Sequence, residues 1–187
     1  MTGNPLKVKE ANYFFKIIYG FELEILEPDF EVLEIQAKTC AEVAAFSAKY
    51  AADKLGFPCL KSDSGIYIDA LGGLPGPYSK YFNSQIGVEK FLKMLEDETN
   101  RKARIEHCYA YCAPNKDAVV FTGGSTGTIA RKPKGTNGMW HDFFFIPDGE
   151  TKTLAELREI DYEKECTFWG NAKDDFAKWY KENVIVH

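Results

Sequence analysis

The segment from Ser62 to Ser79 constrains this chain more than any other part of it. It carries an acid at Asp63, then a β-branched and aromatic run, then a loop with three glycines and two prolines. Such a loop has too little side chain to build a core, so its backbone is free to shape a surface around a ligand. The segment therefore predicts an acidic strand that leads directly into a ligand-binding loop.

The N-terminal segment from Thr2 to Lys7 predicts a second part of the same site. It opens a predicted helix with a glycine, polar side chains and a lysine. The free N–H groups at a helix N-terminus, together with a nearby cation, attract anions. Together the two segments predict a phosphate-bearing substrate held between a lysine loop and an acidic, metal-binding strand.

Composition limits the kinds of protein this chain can be. Its 187 residues fit a single domain over 1–187, which can comprise two lobes, and 45% hydrophobic content is enough for an ordinary core. The net charge of −5 argues against a general nucleic-acid surface, although a nucleotide needs only a few local cations. No apolar run approaches the roughly 20 residues of a membrane span, and no signal peptide is recognised. The cytoplasm is the expected location.

The chain has five cysteines, and an odd number without a secretory signal predicts reduced thiols. His107, Cys108 and Cys112 resemble part of a zinc site. However, they lie in a run with strand character and a fourth ligand is not evident, so zinc is disfavoured.

The pattern of apolar residues predicts an alternation of helices and strands. Thr39 and Glu42 form a capping box for a helix that ends near Leu55. The other predicted helices cover 5–19, 86–97, 153–158 and 171–183. The predicted strands cover 21–27, 57–61, 65–70, 103–113, 117–130 and 142–146, and the pair 103–113 and 117–130 is predicted to form a hairpin.

Four acids and two lysines are candidates for chemistry. Asp63 can bind Mg²⁺ or activate water, and a turn aspartate that bonds its own backbone is an equally good interpretation. Glu34 is either a second metal carboxylate or, more commonly, a solvated strand residue. The remaining candidates, for which loop geometry or simple exposure is the alternative, are Lys7, Lys49, Asp69 and Asp142.

Several motifs recur together in a fixed order. They are Thr2-Gly-Asn4-x-x-Lys7-x-x-Glu10, Glu34-Ile-Gln36, Asp63-Ser-Gly65, Ala70-Leu-Gly-Gly-Leu-Pro-Gly-Pro-Tyr-Ser79, Gly138-x-x-x-Asp142-x-x-Phe-x-Pro147-x-Gly149 and Thr153-x-Ala-Glu156. This set resembles the inosine triphosphate pyrophosphatases, the non-canonical purine nucleoside triphosphate pyrophosphatase family. The match runs from Thr2 to about Ala172, and its most specific part is Gly-Gly-x-Pro-Gly-x-Tyr beside Asp-Ser-Gly.

The resemblance implies a two-lobed α/β fold, with a long mixed β-sheet flanked by helices and the active site in the cleft between the lobes. It implies a homodimer that uses Mg²⁺ to hydrolyse ITP, dITP or XTP to the monophosphate and pyrophosphate. The expected phosphate and substrate contacts are Thr2, Asn4, Lys7, Lys49, Ser64 and Lys164. Glu34 is expected to hold Mg²⁺, Asp63 to bind metal or activate water, and Met139 and Asp142 to lie at the base.

The chain departs from the family pattern in ways that mark it as a divergent member. Ser62 replaces the first of two adjacent acids, and Met139-Trp140-His141-Asp142 replaces an aromatic-Gly-aromatic-Asp segment. Thr167-Phe168-Trp169 stands where the family has Ser-His-Arg, whose last two residues contact the base. The short apolar strand that the family has before Thr-Gly-Asn is not found, so either another element covers that sheet edge or the natural start lies upstream.

These departures leave three functions open. A pyrophosphatase with altered base selectivity is favoured because the phosphate side is mostly intact. The alternatives are a nucleotide-binding homologue without turnover and a pyrophosphatase for a different modified nucleotide. His141 is a candidate for part of the missing base contact, although a lone histidine is more often structural.

Overall fold

A computed structural model of the chain describes residues 12–24, 26 and 29–185. A π-helical segment covers Asn12–Ile18, and short 3₁₀ turns cover Asp69–Leu71 and Trp140–Phe143. The α-helices are α1 (Cys40–Leu55), α2 (Ser79–Met94, with a break at Gly87), α3 (Leu154–Ile160), α4 (Tyr162–Thr167) and α5 (Ala172–Asn183). The strands are β1 (Cys59–Ile68), β2 (Pro75–Gly76), β3 (Lys102–Cys112), β4 (Val119–Ile129) and β5 (Phe145–Pro147).

The strands form one five-stranded sheet in the order β2-β1-β3-β4-β5. Helices flank this sheet, so the predicted α/β class is confirmed. The sequence predicts a mixed sheet, and every pairing among the described residues is antiparallel. In the central pairing Asp63 lies opposite Cys108 and Ser64 lies opposite His107. This register places the acidic segment beside the middle of β3.

Side chains alternate between the two faces of β1, and each face has its own core. Ile66 and Ile68 are fully buried on one face, where they pack with aromatic and aliphatic residues of α2, the 3₁₀ turn at Trp140 and α3. Tyr67 points to the other face, where it packs with α1 and with Cys108 of β3. Asp63 shares the parity of Tyr67, so the acid lies on the α1 face of the sheet.

Helix α1 begins at the predicted capping box. The Thr39 hydroxyl accepts the Glu42 N–H at 3.2 Å, and the Glu42 carboxylate accepts the Thr39 N–H at 3.0 Å. The buried face of the helix is made of small residues, namely Cys40, Ala44, Ser47, Ala48, Ala51 and Ala52. Small side chains let the helix approach the sheet closely, which brings its N-terminus next to Asp63.

Helix α5 packs on the opposite face, and a glycine sets how closely its N-terminus approaches β4. Gly170 has φ +72°, and a Cβ there would overlap the backbone nitrogen of Gly124. Only a residue without a side chain fits this contact. As a result the segment from Trp169 to Lys173 lies against the sheet beside His107 and Tyr109 of β3.

Several predicted elements differ from the observed ones. The strand predicted over 21–27 is wrong for residues 21–24 and 26, which are not in a strand. The two strands predicted over 57–61 and 65–70 are one continuous strand, β1. The strand predicted over 142–146 starts later, because a 3₁₀ turn occupies Trp140–Phe143. Within the described residues no helix has the length and hydropathy required to cross a bilayer.

Candidate active site

Asp63 lies at the centre of β1, in a half-buried position on the α1 face. Two thiols lie beside it, Cys40 at the start of α1 and Cys108 across the strand pair. Burial and the negative charge of Asp63 raise the pKa of Cys40 far above its ordinary value. Burial also raises the pKa of Cys108, to which the charge of Glu106 adds. Both thiols are therefore neutral at physiological pH.

Tyr67 fixes the N-terminus of α1 to the sheet close to Asp63. Its hydroxyl oxygen accepts the Cys40 N–H at 3.1 Å and its proton is donated to Glu106 Oε1, also at 3.1 Å. The guanidinium of Arg104 lies 3.7 Å from the centre of the Tyr67 ring and pairs with Glu106 at 2.9 Å. Burial and the contact with Cys40 raise the pKa of Tyr67, so the tyrosine remains a hydrogen-bond donor. The strand that carries Asp63 is thus rigidly placed.

The carboxylates predicted to hold Mg²⁺ have the right donor chemistry. Mg²⁺ takes oxygen ligands and binds through one or two carboxylates together with phosphate oxygens and water. Among residues 12–24, 26 and 29–185 no group of three or more histidine, cysteine, aspartate or glutamate side chains could hold a metal by itself. Asp63 is half-buried, whereas Glu34 is exposed on the segment before α1. The Ser47 hydroxyl donates to the Leu33 carbonyl at 2.9 Å and holds that segment against the helix.

Two predicted phosphate lysines have other contacts. Lys49 donates to the Lys116 carbonyl at 2.9 Å and pairs with Asp53 at 3.2 Å, near the tip of the β3–β4 hairpin. Lys164 pairs with Glu150 at 2.6 Å. Nine residues of helix, about 13 Å, separate Lys49 from the Cys40 end of α1. The remaining predicted phosphate contacts, Thr2, Asn4 and Lys7, lie outside the described residues.

A narrow aromatic slot lies on the opposite face of the sheet from Asp63. Its lining residues are Phe14, His107, Tyr109, Met139, Cys166, Trp169, Gly170 and Lys173. His107 is at its centre, with its ring 4.8 Å from that of Tyr109 and 5.6 Å from that of Trp169. The clear space is about 20 Å³, roughly the room of one water molecule, within about 390 Å³ of crevice that is partly open to solvent.

The slot and the acidic strand are neighbours. His107, which lines the slot, is the cross-strand partner of Ser64, and Ser64 follows Asp63. Directly opposed residues of an antiparallel pair lie about 5 Å apart. Ser64 and Met139, predicted from separate motifs, are therefore brought to the same face of the sheet, whereas Asp63 lies on the opposite face, beside Cys108.

Asp142 does not line the slot but supports it from inside. Its side chain is fully buried, and its Oδ2 accepts the Met139 N–H at 2.7 Å. Arg158 Nη2 lies 3.2 Å from the same oxygen and 2.9 Å from Glu165 Oε1, and that glutamate is fully buried as well. His141 is also buried, with its Nε2 3.7 Å from Asp142 Oδ1, and it is not among the residues that line the slot.

Phe168 and Trp169, which replace the family's base-contacting pair, have different surroundings. Trp169 forms a wall of the slot and donates its indole N–H to Glu165 Oε1 at 2.8 Å. Phe168 lines a separate groove with Arg104, Thr126 and Asp148. Sequence reasoning considered His107 only as part of a disfavoured zinc site and missed three residues of this region, Tyr109, Arg158 and Lys173. The alternation of His107 and Tyr109 in a predicted strand was a usable signal, whereas nothing in the sequence pattern pairs Arg158 with Asp142 and Glu165.

A model of the Ham1 family matches residues 1–179. The chain belongs to the Ham1 family. This match confirms the resemblance to the inosine triphosphate pyrophosphatase family that the Thr-Gly-Asn, Asp-Ser-Gly and Gly-Gly-x-Pro-Gly motifs indicated.

Two relatives match almost the full length of the chain. The dITP/XTP pyrophosphatase of Methanopyrus kandleri is 43% identical over 185 residues, which cover 98% of this chain and 95% of the relative. The dITP/XTP pyrophosphatase of Thermococcus kodakarensis is 39% identical and covers 98% of this chain and 97% of its own.

Solved structures of Ham1 proteins share the fold. The Coxiella burnetii HAM1 protein superposes with a TM-score of 0.78 at 28% identity, covering 97% of this chain and 96% of that one. The Staphylococcus aureus Ham1 protein gives a TM-score of 0.76 at 25% identity, with the same coverage.

Proposed function

We propose that this Ham1 protein hydrolyses non-canonical purine nucleoside triphosphates such as ITP, dITP and XTP to the monophosphate and pyrophosphate. The observation that carries the proposal is the position of Ser64, the residue next to Asp63, directly across the strand pair from His107 of the aromatic slot. A strand that carries an acid for phosphate chemistry and borders an aromatic slot suits a nucleotide. The full-length similarity to dITP/XTP pyrophosphatases supports the same substrate class.

In the proposed reaction water attacks the α-phosphorus, the bond from the α-phosphorus to the bridging oxygen breaks, and pyrophosphate leaves. Asp63 accepts the proton of the attacking water or orients that water, because it is a carboxylate held on a rigid strand. Ser64 contacts the substrate beside it. The predicted phosphate-binding residues Thr2, Asn4 and Lys7 hold the triphosphate, and the positive charge of Lys7 neutralises part of its negative charge.

Mg²⁺ is the proposed cofactor, with Glu34 and Asp63 as its protein ligands. Two carboxylates from different segments leave most of the coordination sphere to phosphate oxygens and water, which is how Mg²⁺ is usually bound in phosphoryl-transfer sites. When bound, the cation would neutralise charge on the triphosphate and its leaving group. A chelator is expected to stop turnover and added Mg²⁺ to restore it.

The test is Asp63→Asn, assayed by pyrophosphate release from ITP and XTP with Mg²⁺. We expect loss of at least about a hundredfold in kcat, since general acid–base catalysis alone is worth that much. Asp69→Asn, an exposed acid six residues along the chain, is the matched control and should turn over like the parent. Thermal unfolding should show both variants folded. Parent-like turnover by Asp63→Asn would refute the assigned role.

A nucleotide-binding protein without turnover is the second candidate, because Ser62 stands in place of one acid and Lys49 is bonded to the Lys116 carbonyl. Pyrophosphate release separates the two candidates directly. Binding of ITP with no release, at any Mg²⁺ concentration, would favour the second. Release from another modified nucleotide but not from ITP or XTP would favour the third function left open by the sequence.

We also propose a homodimer located in the cytoplasm. Leu74 and Tyr81, on either side of the Pro75–Tyr78 turn, are 48% and 63% exposed, more apolar surface than this loop needs in a monomer. All five cysteines are free and buried, which suits a reducing compartment. Light scattering at micromolar concentration should give twice the chain mass of 21.2 kDa, and a monomer mass would refute the dimer.

A further inference from the structure

Cys40 is the first residue of α1, and its fully buried thiol lies over the strand that carries Asp63. The first N–H groups of a helix have no partner within the helix. The Cys40 N–H is instead donated to the Tyr67 hydroxyl of β1 at 3.1 Å, and the same hydroxyl oxygen lies 3.4 Å from Cys40 Sγ. Two contacts with one tyrosine therefore fix both the backbone and the side chain of Cys40.

Gly65 makes room for this thiol between Asp63 and Tyr67. The three residues share one face of β1, on which successive positions are about 7 Å apart. A Cβ at Gly65 would lie 3.0 Å from Cys40 Sγ, which is closer than side chains normally pack. Because Gly65 has no side chain, the sulfur occupies the space above it and is within reach of the residue on either side.

The thiol of Cys40 is hydrogen-bonded to the Asp63 carboxylate. Burial, the negative charge of Asp63 and this hydrogen bond raise the pKa of Cys40, so the proton stays on the sulfur and is available for donation. Cys108, across the strand pair from Asp63, has its own acceptor, because its Sγ lies 3.7 Å from Glu106 Oε1. Each thiol thus donates to a different carboxylate, and the acceptor of Cys40 is the acid at the proposed reaction centre.

We propose that Cys40 is a positioning residue for hydrolysis, whose thiol holds the Asp63 carboxylate in the orientation that the attacking water requires. The inference rests on the proposed function and names a group that orients the acid of the same site. A thiol is a weak donor, but hydrogen bonds to an ionised acceptor are about twice as strong as neutral ones. Supporting contacts of this kind keep a catalytic group within about 0.5 Å of its working position.

The test compares pyrophosphate release from ITP and XTP by the parent, Cys40→Ala and Cys40→Ser. Cys40→Ala leaves the carboxylate free to rotate, so kcat should fall about tenfold while KM changes by less than about twofold. Cys40→Ser keeps a donor in place and should bring kcat back to within about threefold of the parent. Parent-like kcat in Cys40→Ala, a loss that appears in KM alone, or a loss that Cys40→Ser does not reduce would overturn the proposal.

Cys59→Ala is the matched control for lost packing. Cys59 is buried in the same core cluster as Cys40 and lies on the same face of β1 as Asp63, four residues or about 13 Å away. Its variant should keep the parent kcat, and thermal unfolding should show every variant folded. A fall in kcat as large as that of Cys40→Ala would mean that packing explains the effect, and the proposal would fail.

Infrared spectroscopy tests the hydrogen bond without turnover. Subtracting the spectrum of the same protein with Cys40→Ala isolates the S–H stretching band of Cys40 at neutral pH, with no nucleotide or Mg²⁺ added. In Asp63→Asn this band should move to higher frequency, because a neutral amide is a weaker acceptor than a carboxylate. In Asp69→Asn, the exposed acid, it should not move. An unshifted band in Asp63→Asn would refute the inference.

Turnover by the parent separates this inference from the proposed function. Failure of the parent to release pyrophosphate from any nucleotide would refute the proposed function and the inference with it. Release by the parent with no loss of kcat in Cys40→Ala would refute the inference alone.

Discussion

Trp169 and Met139, two walls of the aromatic slot, are joined through the protein interior by a chain of buried polar contacts. The chain runs from the Trp169 indole to Glu165 at 2.8 Å, on to Arg158 at 2.9 Å, then to Asp142 at 3.2 Å and to the Met139 N–H at 2.7 Å. One guanidinium thus serves two buried carboxylates. The width of the slot is set by this network as well as by the residues that line it.

Removing Arg158, the cation of this network, should lower the free energy of unfolding. Arg158→Met leaves Asp142 and Glu165 buried without their shared guanidinium, and losing one member of a buried ion pair typically costs about 3–5 kcal/mol of unfolding free energy. Urea denaturation monitored by tryptophan fluorescence measures the loss. Arg104→Met is the control, since its pair with Glu106 is 45% exposed on the arginine side and should contribute about 1 kcal/mol or less. Equal losses in the two variants would contradict the importance of the buried network.

Discrimination between ITP and GTP should be weak. The N–H donors of Trp169 and Met139 are already bonded to Glu165 and Asp142. A purine with different groups on its edge therefore leaves neither of these donors unpaired, and binding it carries no such penalty. We expect the ratio of kcat/KM to lie well below the roughly 10⁴-fold that paired polar contacts reach. Comparison of ITP, XTP, GTP, ATP and dUTP checks this. A sharp preference for ITP would mean that the base is read by residues outside the slot.

The buried thiols beside Asp63 should make the protein less stable in mild alkali. Burial, together with the charges of Asp63 and Glu106, raises the pKa of Cys40 and Cys108 in the folded state. Because the folded thiols stay protonated while unfolded ones ionise above about pH 8.5, stability is fully present below that pH and falls above it. Each thiol contributes a slope of up to about 1.4 kcal/mol per pH unit.

Unfolding free energies measured from pH 7 to 10 test this behaviour of the thiols. Cys40→Ala removes one of these groups and should lower the alkaline slope, while Cys59 and Cys112, whose pKa burial also raises, keep part of it. A parent stability that is flat over this range, or the same slope in Cys40→Ala as in the parent, would show that the thiols do not titrate as described.

The capping box at the start of α1 gives a fourth prediction. Thr39→Ala should lower the free energy of unfolding by about 1 kcal/mol. Hydrogen bonds from the Thr39 hydroxyl and backbone N–H lower the pKa of Glu42, so the contribution of Glu42 is present above its unfolded pKa and is lost as the pH falls. The variant should therefore lose less stability in acid than the parent. Thr151→Ala, an exposed threonine outside the helices, should change neither quantity.

The elements that the sequence predicted well are those whose signals are local. The Thr39–Glu42 box, helix α1 and the β3–β4 hairpin follow from capping chemistry and from short-range periodicity. Helix α4 was missed because it has only six residues, although the Asp161 side chain caps it through the Lys164 N–H. All of these signals, whether recognised or missed, come from residues that are close together in the sequence.

The failures at longer range have a different cause. Residues 21–24 alternate between apolar and acidic side chains as a strand would, but they are not in a strand. Phe21 instead stacks on Phe15 and packs against Tyr180, so its apolar side chain is covered by aromatic rings. The polar run Ser62–Gly65 reads as a break between strands, but continuous pairing with β3 carries β1 straight through it. The position of Lys173 in the slot depends on the close contact between Gly170 and Gly124, and no spacing pattern in the sequence predicts that contact.

The contact of Gly170 with Gly124, between the start of α5 and β4, also limits which residues around the aromatic slot can be substituted. A side chain at Gly170 would push the helix away from the sheet and carry Lys173 with it, while a side chain at Gly124 would collide with the Ile105 carbonyl. Variants that alter substrate choice should therefore accumulate at Phe14, Met139 and Lys173, whose side chains can be exchanged without moving the backbone. Selection from randomised libraries would then change the preferred nucleotide through these three positions and leave both glycines untouched.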